Sequence, residues 1–393
     1  MSAKRNHAKT YRFLWNTIGP VIRFIFRFKS SMVQVPSEPY LVLVNHNTDL
    51  DAALVALSFR EHMYFVVSEH ALRKGFSSWL LRSFFAPIPR VKGTADAQAA
   101  LDIIRALRHG NNVCLFAEGN RSFTGVTGAI FPATGKLAKA AGVTLVTYRI
   151  EGGYLTAPRW GRTQRRGKMT GTCVNIYSPD QLRSMTADEV NKHIAEDLFE
   201  DAFLRQKKEK IRFRGKRLAE GLENALFLCP SCGGIGTLKG KGDLFSCTCG
   251  LMMRYTEYGF FEGENAPFSC VRDWDVWQNG RLEELAATKG LVFSDQDTQL
   301  FVVDRHHRMS LIDKGVLSMD AETLKLGETW FLLTDISDIA MVGASKLLLN
   351  AQGRHYEIRA PRKYYCGRKY FLLYRLYISI KEKERIEELS ASS

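Results

Sequence analysis

The chain has 393 residues, of which 45% are hydrophobic, and its formal net charge is +14 at pH 7. This length predicts two or three domains with a sizeable core, and eight cysteines in such a length do not resemble a disulfide framework. No run of about 18–20 apolar residues and no signal-peptide pattern is present, so we expect no spanning helix and a chain that stays in the cytosolic compartment. The basic balance favours nucleic acid, an anionic membrane or a phosphorylated substrate as partner.

The first segment, residues 1–30, contains seven Lys or Arg residues and no acidic residue, with aromatic and aliphatic side chains between the charges. Pro20 is expected to break or kink a helix here. The composition suits a helix lying in the headgroup zone of an anionic membrane, on its cytoplasmic face, as a peripheral or monotopic anchor. The alternative is an ordinary helix packed on its domain with a solvated basic face.

Short apolar runs then alternate with helical patterns, which predicts a mixed or parallel sheet flanked by helices. Strands are expected at residues 40–45, 63–67, 112–116 and 143–150. Helices are expected at residues 51–60, 69–85, 94–109 and 134–141, and one more from the Thr186–Glu189 capping box to about residue 208. A basic run over residues 205–217 follows, as either a solvated helix end or a lipid-binding patch.

The pattern changes again after the basic run. From residue 290 to 360 it shows short strands, with turn signals at residues 313–315 and 351–353, and then an amphipathic helix over residues 367–385. This predicts a small barrel or sandwich closed by a C-terminal helix, and a pleckstrin-homology-like fold is one form of it. The predicted domains are a basic membrane-surface segment, a mixed α/β domain, a cysteine module with linkers and a β-rich domain, over residues 1–30, 31–215, 216–268 and 269–393.

Four cysteines lie at the spacing of metal ligands: Cys229, Cys232, Cys247 and Cys249. Two knuckles, each followed by a glycine, suit a tetrahedral structural zinc, although the second pair is Cys-x-Cys rather than Cys-x-x-Cys. All four ligands would come from the protein, so no open coordination position and no zinc chemistry is expected. The alternatives are reduced cysteines that pack, or a redox pair.

A histidine motif occupies residues 45–51, with the sequence Asn-His-Asn-Thr-Asp-Leu-Asp. If His46 lies in a strand-to-helix turn and Asp51 in the first helical turn, the carboxylate can hold one imidazole nitrogen. The other nitrogen can then take a proton from a substrate hydroxyl. The alternative is a structural helix cap.

A glutamate motif occupies residues 116–122, with the sequence Phe-Ala-Glu-Gly-Asn-Arg-Ser. Gly119 permits close approach of a ligand to the backbone, Arg121 suits a phosphate, and Glu118 can accept hydrogen bonds from polyol hydroxyls. Arg90 and Lys136 are further candidate phosphate ligands, the second near an expected helix start. The alternative is a turn with a surface Glu–Arg pair.

Together these two motifs resemble the blocks of the glycerolipid acyltransferases, most closely the 1-acylglycerol-3-phosphate acyltransferases. The stretch at residues 85–90, ending in Arg90, resembles their intervening block, and the strand at residues 143–150 lies where their fourth block falls. The resemblance covers roughly residues 35–210. It departs at Ala117 (usually Pro), at Asn120 (usually Thr) and in the fourth block, which lacks its proline.

The resemblance implies that His46 is the general base and Asp51 its partner. It implies that Glu118, Gly119, Arg121 and Arg90 hold the glycerol phosphate. The implied reaction moves an acyl group from acyl-CoA or acyl carrier protein to lysophosphatidic acid, with no covalent enzyme intermediate. Glycerol 3-phosphate or another lysophospholipid is the alternative acceptor.

Two other classes of function compete with this one: a zinc-ribbon nucleic-acid-binding protein and a non-catalytic lipid-binding scaffold. The first leaves both motifs unexplained and predicts aromatic residues among the cations of the zinc module, where few occur, so no nucleic-acid partner is expected. The second is disfavoured by the intact histidine and aspartate.

Overall fold

The computed structural model describes residues 2–68, 87–90, 97–287, 291–304, 308–360 and 365–391. The helix predicted over residues 69–85 lies outside the described residues, as do residues 85–86 of the intervening block. The chain divides into two compact units. The first comprises Met1–Arg159, Thr163–Lys216 and Glu257–Gly259, and the second Trp160–Arg162, Arg217–Thr256 and Phe260–Ser393. The predicted domain boundaries stay a prediction.

The first unit is built on a seven-stranded mixed sheet in the order β1-β7-β6-β2-β5-β3-β4. Its strands are β1 Phe28–Ser30, β2 Tyr40–Val44, β3 Met63–Ser68, β4 Ile88–Arg90, β5 Asn112–Phe116, β6 Thr144–Glu151 and β7 Met169–Tyr177. Strands β6, β2, β5, β3 and β4 run parallel, whereas β7 is antiparallel to β6. The predicted mixed sheet flanked by helices is confirmed.

The register of the central strands positions the two motifs. Val44, the last residue of β2, pairs with Phe116, the last residue of β5. Because the two strands are parallel, residues 45–51 and 116–122 leave the sheet at the same edge. Alternate side chains of β2 fill opposite cores, with Tyr40, Val42 and Val44 on one face and Leu41 and Leu43 on the other.

The helices of this unit are α1 Ser2–Ile25, α2 Asp51–Ala56, α3 Ala97–Arg108, α4 Pro132–Ala141, α5 Gly153–Thr156, α6 Pro179–Ser184, α7 Ala187–Leu198 and α8 Ala202–Glu209. Pro20 lies inside α1, so the proline does not end that helix. In the part of the chain that the structure describes, no helix is both long and apolar enough to cross a membrane.

The capping box at Thr186 and Glu189 is present and begins α7. The prediction of one helix to about residue 208 was wrong, because the chain breaks between α7 and α8. Phe199 has extended backbone angles, and the Asp201 carboxylate accepts the N–H groups of Phe203 and Leu204 to cap α8. The cap that Asp201 provides favours the start of α8 over the continuation of α7.

The second unit begins with a small antiparallel sheet in the order β11-β10-β9-β8. Its strands are β8 Leu238–Lys241, β9 Leu244–Cys247, β10 Met252–Tyr255 and β11 Phe261–Glu262, and α9 Val271–Ala287 follows. The buried side chain of Gln278 in α9 accepts the N–H groups of Phe227 and Leu228, next to the first cysteine knuckle. The cysteine module is therefore hydrogen-bonded to α9.

A seven-stranded antiparallel sheet completes this unit, in the order β15-β14-β13-β12-β18-β17-β16. Its strands are β12 Phe293–Val303, β13 Met309–Met319, β14 Thr323–Leu326, β15 Thr329–Leu332, β16 Ile336–Val342, β17 Lys346–Ala351 and β18 Arg354–Arg359, followed by α10 Gly367–Ala391. The predicted β-rich domain with a C-terminal helix is confirmed.

One of the two predicted turns in this sheet is right and one is wrong. Gln352 and Gly353 have φ of 51° and 70° and join β17 to β18, as a tight hairpin requires. Asp313, by contrast, lies inside β13. Its carboxylate accepts the N–H group of the adjacent Lys314 and also those of Glu328 and Thr329, so it stabilises the neighbouring β14–β15 hairpin and does not form a turn in β13.

Candidate active site

The histidine and glutamate motifs meet at the carboxyl ends of β2 and β5. Glu118 Oε1 accepts the backbone N–H of His46 at 2.7 Å, and the backbone N–H of Ser122 contacts the His46 carbonyl oxygen at 3.3 Å. Glu118 Oε2 accepts the N–H of Gly128 at 2.6 Å. One carboxylate therefore joins the turn that carries His46 to the loop that follows β5.

Asp51, the first residue of α2, is fully buried and reaches back to the turn before its helix. Its Oδ2 lies 2.9 Å from His46 Nδ1 and also accepts the N–H groups of Asn47 at 2.6 Å and Thr48 at 2.9 Å. The Thr48 hydroxyl donates to Oδ1 at 2.6 Å. Since a carboxylate only accepts, Nδ1 carries the proton of the neutral ring and Nε2 is the basic nitrogen.

The imidazole ring of His46 is held on a second side by Phe116. The two rings are nearly parallel, at 25°, with centroids 4.5 Å apart. The His46 side chain is 22% exposed, and among the described residues nothing hydrogen-bonds to Nε2. The turn thus presents an oriented imidazole whose basic nitrogen is available to a substrate.

Two buried asparagines beside His46 tie the turn to the end of β6. Asn45 accepts the N–H of Ile150 and donates to its carbonyl oxygen, both at 2.8 Å. Asn47 donates to the same carbonyl at 3.0 Å and to Glu200 Oε2 at 2.8 Å. Neither this role of Asn47 nor that of Glu200, which lies in no recognisable motif, was predicted from the sequence.

The cationic side of the site is formed by Arg121 and Arg90. Arg121 Nε lies 3.4 Å from Asp49 Oδ1, and the Arg121 side chain is 13% exposed while that of Asp49 is 85% exposed. The Arg90 guanidinium stacks over the Phe131 ring at 5.4 Å. A Cβ built on Gly119 would lie 3.6 Å from Arg90 Nη1, so Arg90 borders the glutamate motif.

Gly119 is required by both its backbone and its surroundings. Its φ is 68°, and a Cβ there would lie 2.8 Å from the Phe131 ring.

Lys136 lies inside α4 with an exposed side chain. In the described part of the chain, no hydrogen bond or ion pair joins Lys136 to the other predicted phosphate ligands.

Burial raises the pKa of Glu118 to about 8, against the lowering effect of its hydrogen bonds from Gly128 and His46. Glu118 is only 7% exposed, and both of its oxygens accept backbone N–H groups. In the structure, therefore, this residue braces the two motifs. Its predicted contact with an acceptor hydroxyl stays a prediction.

The four predicted zinc ligands converge in the second unit. All four Sγ atoms lie within 4.8 Å of one another, with Cys229–Cys249 and Cys232–Cys247 each 3.8 Å apart. A tetrahedral zinc with bonds of about 2.3 Å separates its sulfurs by about 3.8 Å, and a disulfide requires about 2.05 Å, so the arrangement fits the metal. A backbone N–H reaches Cys232 Sγ and the Thr237 hydroxyl reaches Cys247 Sγ, as expected around thiolates.

Parts of the chain are similar to known proteins. Residues 27–151, which include both motifs, match the family model described as Acyltransferase. The chain is similar in part to the crystal structure of the 1-acyl-sn-glycerophosphate (LPA) acyltransferase PlsC from Thermotoga maritima, at 18% identity over 53% of this chain and 84% of that one, with a TM-score of 0.42. It is also similar to the solution structure of the N-terminal PH domain of human ARAP2, at 11% identity over 25% of this chain and 84% of that one, with a TM-score of 0.19.

Proposed function

We propose that the acyltransferase domain of this chain moves a fatty acyl group from an acyl thioester to the free hydroxyl of lysophosphatidic acid, giving phosphatidic acid. The observation that carries the proposal is the 2.9 Å contact between His46 Nδ1 and a fully buried Asp51. The Asp51 carboxylate fixes the orientation of the imidazole and leaves Nε2 of His46 as the basic nitrogen. A base of this kind is needed to activate an alcohol, which is a weak nucleophile.

The chemical step then balances as follows. His46 Nε2 takes the hydroxyl proton while the hydroxyl oxygen bonds to the thioester carbonyl carbon. The C–S bond breaks as the tetrahedral intermediate collapses, and the departing thiolate takes the proton back from the imidazolium. Asp51 stabilises the imidazolium while it exists and fixes the orientation of the ring. Because the enzyme forms no bond to the acyl group, His46 and Asp51 suffice as the proton-transfer machinery.

The acceptor class is supported by the cations beside His46. Arg121 is largely buried, and in the described part of the chain its ion-pair partner is one exposed carboxylate, that of Asp49, at 3.4 Å. A phosphate would offer this guanidinium a stronger charge and two oxygens in the geometry it prefers. Arg90, beside Gly119, supplies a second cation for the same group.

An anionic membrane surface, on its cytoplasmic face, is the proposed location of the reaction. Phe13, Val21 and Phe24 on α1 are 62%, 53% and 70% exposed. The Arg166 guanidinium stacks over Phe24 at 4.7 Å, and Arg166 pairs with Arg214 through reciprocal backbone hydrogen bonds. Apolar side chains next to exposed cations are the combination that an anionic interface attracts.

A structural zinc is proposed for Cys229, Cys232, Cys247 and Cys249. When bound, it would stabilise the fold of this small module, by about 10 kcal/mol in comparable metal-dependent modules. Four thiolate ligands leave it no position for substrate, and no step of the transfer is assigned to it.

Product analysis with defined donors and acceptors tests the function. The purified chain is incubated with acyl-CoA or acyl carrier protein thioester and with lysophosphatidic acid, glycerol 3-phosphate or lysophosphatidylcholine. We expect phosphatidic acid as the main product, and none with the His46→Ala variant. A product only with another acceptor would correct the acceptor, and no acyl product from any donor would refute the proposal.

A further inference from the structure

The segment at residues 199–201, between α7 and α8, lies outside the residues of the family match, yet it contacts the histidine motif and the loop that follows the glutamate motif. Glu200 Oε2 accepts an N–H of the Asn47 side chain at 2.8 Å, and Oε1 accepts the backbone N–H of Gly152 at 2.9 Å. The Thr127 N–H donates to the Glu200 carbonyl at 2.9 Å, and the Glu200 N–H donates to the Thr127 hydroxyl at 2.8 Å. The buried residue Glu200 thus forms hydrogen bonds to the segments that follow β2, β5 and β6.

We propose that Glu200 is a positioning residue for the His46–Asp51 pair and acts on it through Asn47. The backbone N–H of Asn47 donates to Asp51 Oδ2 at 2.6 Å, the same oxygen that holds His46 Nδ1. The position of Asn47 therefore sets the position of the oxygen that orients the imidazole. This inference rests on the proposed function, and it adds a residue about 50 positions beyond the matched family region.

The hydrogen bonding around Asn47 shows why a carboxylate is needed. The side-chain nitrogen of Asn47 donates to Ile150 O and to Glu200 Oε2, and the residue is 5% exposed. The groups that face the Glu200 oxygens in the described structure are donors: the Asn47 amide, the Gly152 N–H and the Arg205 guanidinium, whose Nη1 lies 4.0 Å from Oε1. A glutamine at position 200 would turn its own NH2 group toward one of them, which leaves a buried donor without an acceptor and allows the turn to move.

A nearby aspartate provides a matched control. Asp197, near the end of α7, is 8% exposed, and its carboxylate accepts hydrogen bonds from Thr147, Asn175 and Tyr177. It resembles Glu200 in burial and accepts three hydrogen bonds where the Glu200 carboxylate accepts two, but these bonds come from β6 and β7 rather than from either motif. Asp197→Asn should therefore lower the stability of the unit without moving His46.

The test compares Glu200→Gln with Asp197→Asn in the full-length chain, well below the unfolding temperature. Steady-state kinetics give kcat and KM, and NMR of 15N-histidine-labelled protein reports the His46 ring, assigned by its loss in His46→Ala. For Glu200→Gln we expect kcat to fall about tenfold to a hundredfold, KM to change less than threefold and the His46 signals to shift. For Asp197→Asn we expect native kcat and native His46 signals.

A second variant keeps the inference testable if Glu200→Gln does not fold. Asn47→Ser removes the amide that reaches Glu200 and should reproduce the loss of kcat, and the double variant should lose little more than either single one. Native kcat and native His46 signals in both single variants would overturn the proposal, and so would equal effects of Glu200→Gln and Asp197→Asn. Absence of acyl transfer by the wild-type chain would refute the function, whereas the NMR comparison would still decide the positioning role.

Discussion

The backbone N–H of His46 donates to Glu118 Oε1 at 2.7 Å across 72 residues of sequence. The bond exists because β2 and β5 are parallel neighbours whose last residues are in register. It joins the turn that carries His46 and the loop that carries Glu118 into one hydrogen-bonded unit. Glu118, which accepts this bond, is also a buried carboxyl group, so its protonation should affect the stability of the folded state.

The pH dependence of stability should report Glu118. Its folded pKa is about 8 against an ordinary value of 4.5, so between these pH values the folded state binds more protons than the unfolded state. The contribution of Glu118 to the free energy of unfolding is fully present below pH 4.5 and is lost as the pH rises to about 8. Glu200, whose pKa burial raises to about 7, contributes in the same direction.

Thermal unfolding of the wild type and of Glu118→Gln from pH 5 to pH 8.5 measures this contribution. We expect the wild-type Tm to fall with rising pH more steeply than that of the variant. The variant itself should be less stable at pH 5, by about 1–3 kcal/mol, because one backbone N–H loses its acceptor. Equal slopes would show that Glu118 is ionised in the folded protein throughout this range.

Asp49 should weaken the binding of a phosphorylated acceptor. Its exposed carboxylate pairs with Arg121 at 3.4 Å and therefore competes with a phosphate for the same guanidinium. An exposed pair of this kind contributes about 0–1 kcal/mol, so Asp49→Asn should lower KM for lysophosphatidic acid by up to about fivefold. Arg121→Ala should raise the same KM. A change in the same direction in both variants would remove this pair from the acceptor site.

The cysteine module should purify with one equivalent of zinc. Cys249→Ser removes an exposed ligand and should reduce the bound zinc to less than half an equivalent, with a lower unfolding temperature for the second unit. Cys173 lies in β7 of the first unit, so the variant Cys173→Ser is the control and should keep one full equivalent of zinc. Full zinc content in Cys249→Ser would exclude the four-cysteine site.

Phe24 should contribute to membrane binding. Phe24→Ser removes a 70% exposed aromatic side chain that stacks with Arg166, whereas Leu101→Ser removes a 49% exposed side chain on α3. With sedimented vesicles of phosphatidylglycerol and phosphatidylcholine, we expect weaker binding only for Phe24→Ser, and weaker binding of all variants at high salt. Equal binding of the two variants would show that α1 does not face the lipid.

The features that could be predicted from the sequence are those whose residues lie close together along the chain. His46 and Asp51 are five residues apart, and a strand, a turn and a helix start bring them together without help from the rest of the chain. The cysteine spacing and the hairpin at Gln352 and Gly353 were predictable for the same reason. In each case the chemistry lies within a few residues of the backbone that positions it.

Features that depend on the register of distant strands were not predictable. The bond from His46 to Glu118 follows from the β2–β5 pairing, and the bond from Asn47 to Glu200 joins residues 153 positions apart. A lone glutamate between two helices gives no periodic signal, and the break after α7 depends on the Asp201 cap. The two backbone N–H groups that donate to Glu118 could not be identified from the sequence for the same reason.

The most direct test of the central claim is the rate of acyl transfer by purified, folded His46→Ala under saturating donor and acceptor, with His109→Ala as control, since His109 is an exposed histidine at the end of α3. Loss of the general base should lower kcat by about 10²- to 10⁴-fold, while the control keeps the native rate. A native rate in His46→Ala would contradict the assignment of His46 as the base.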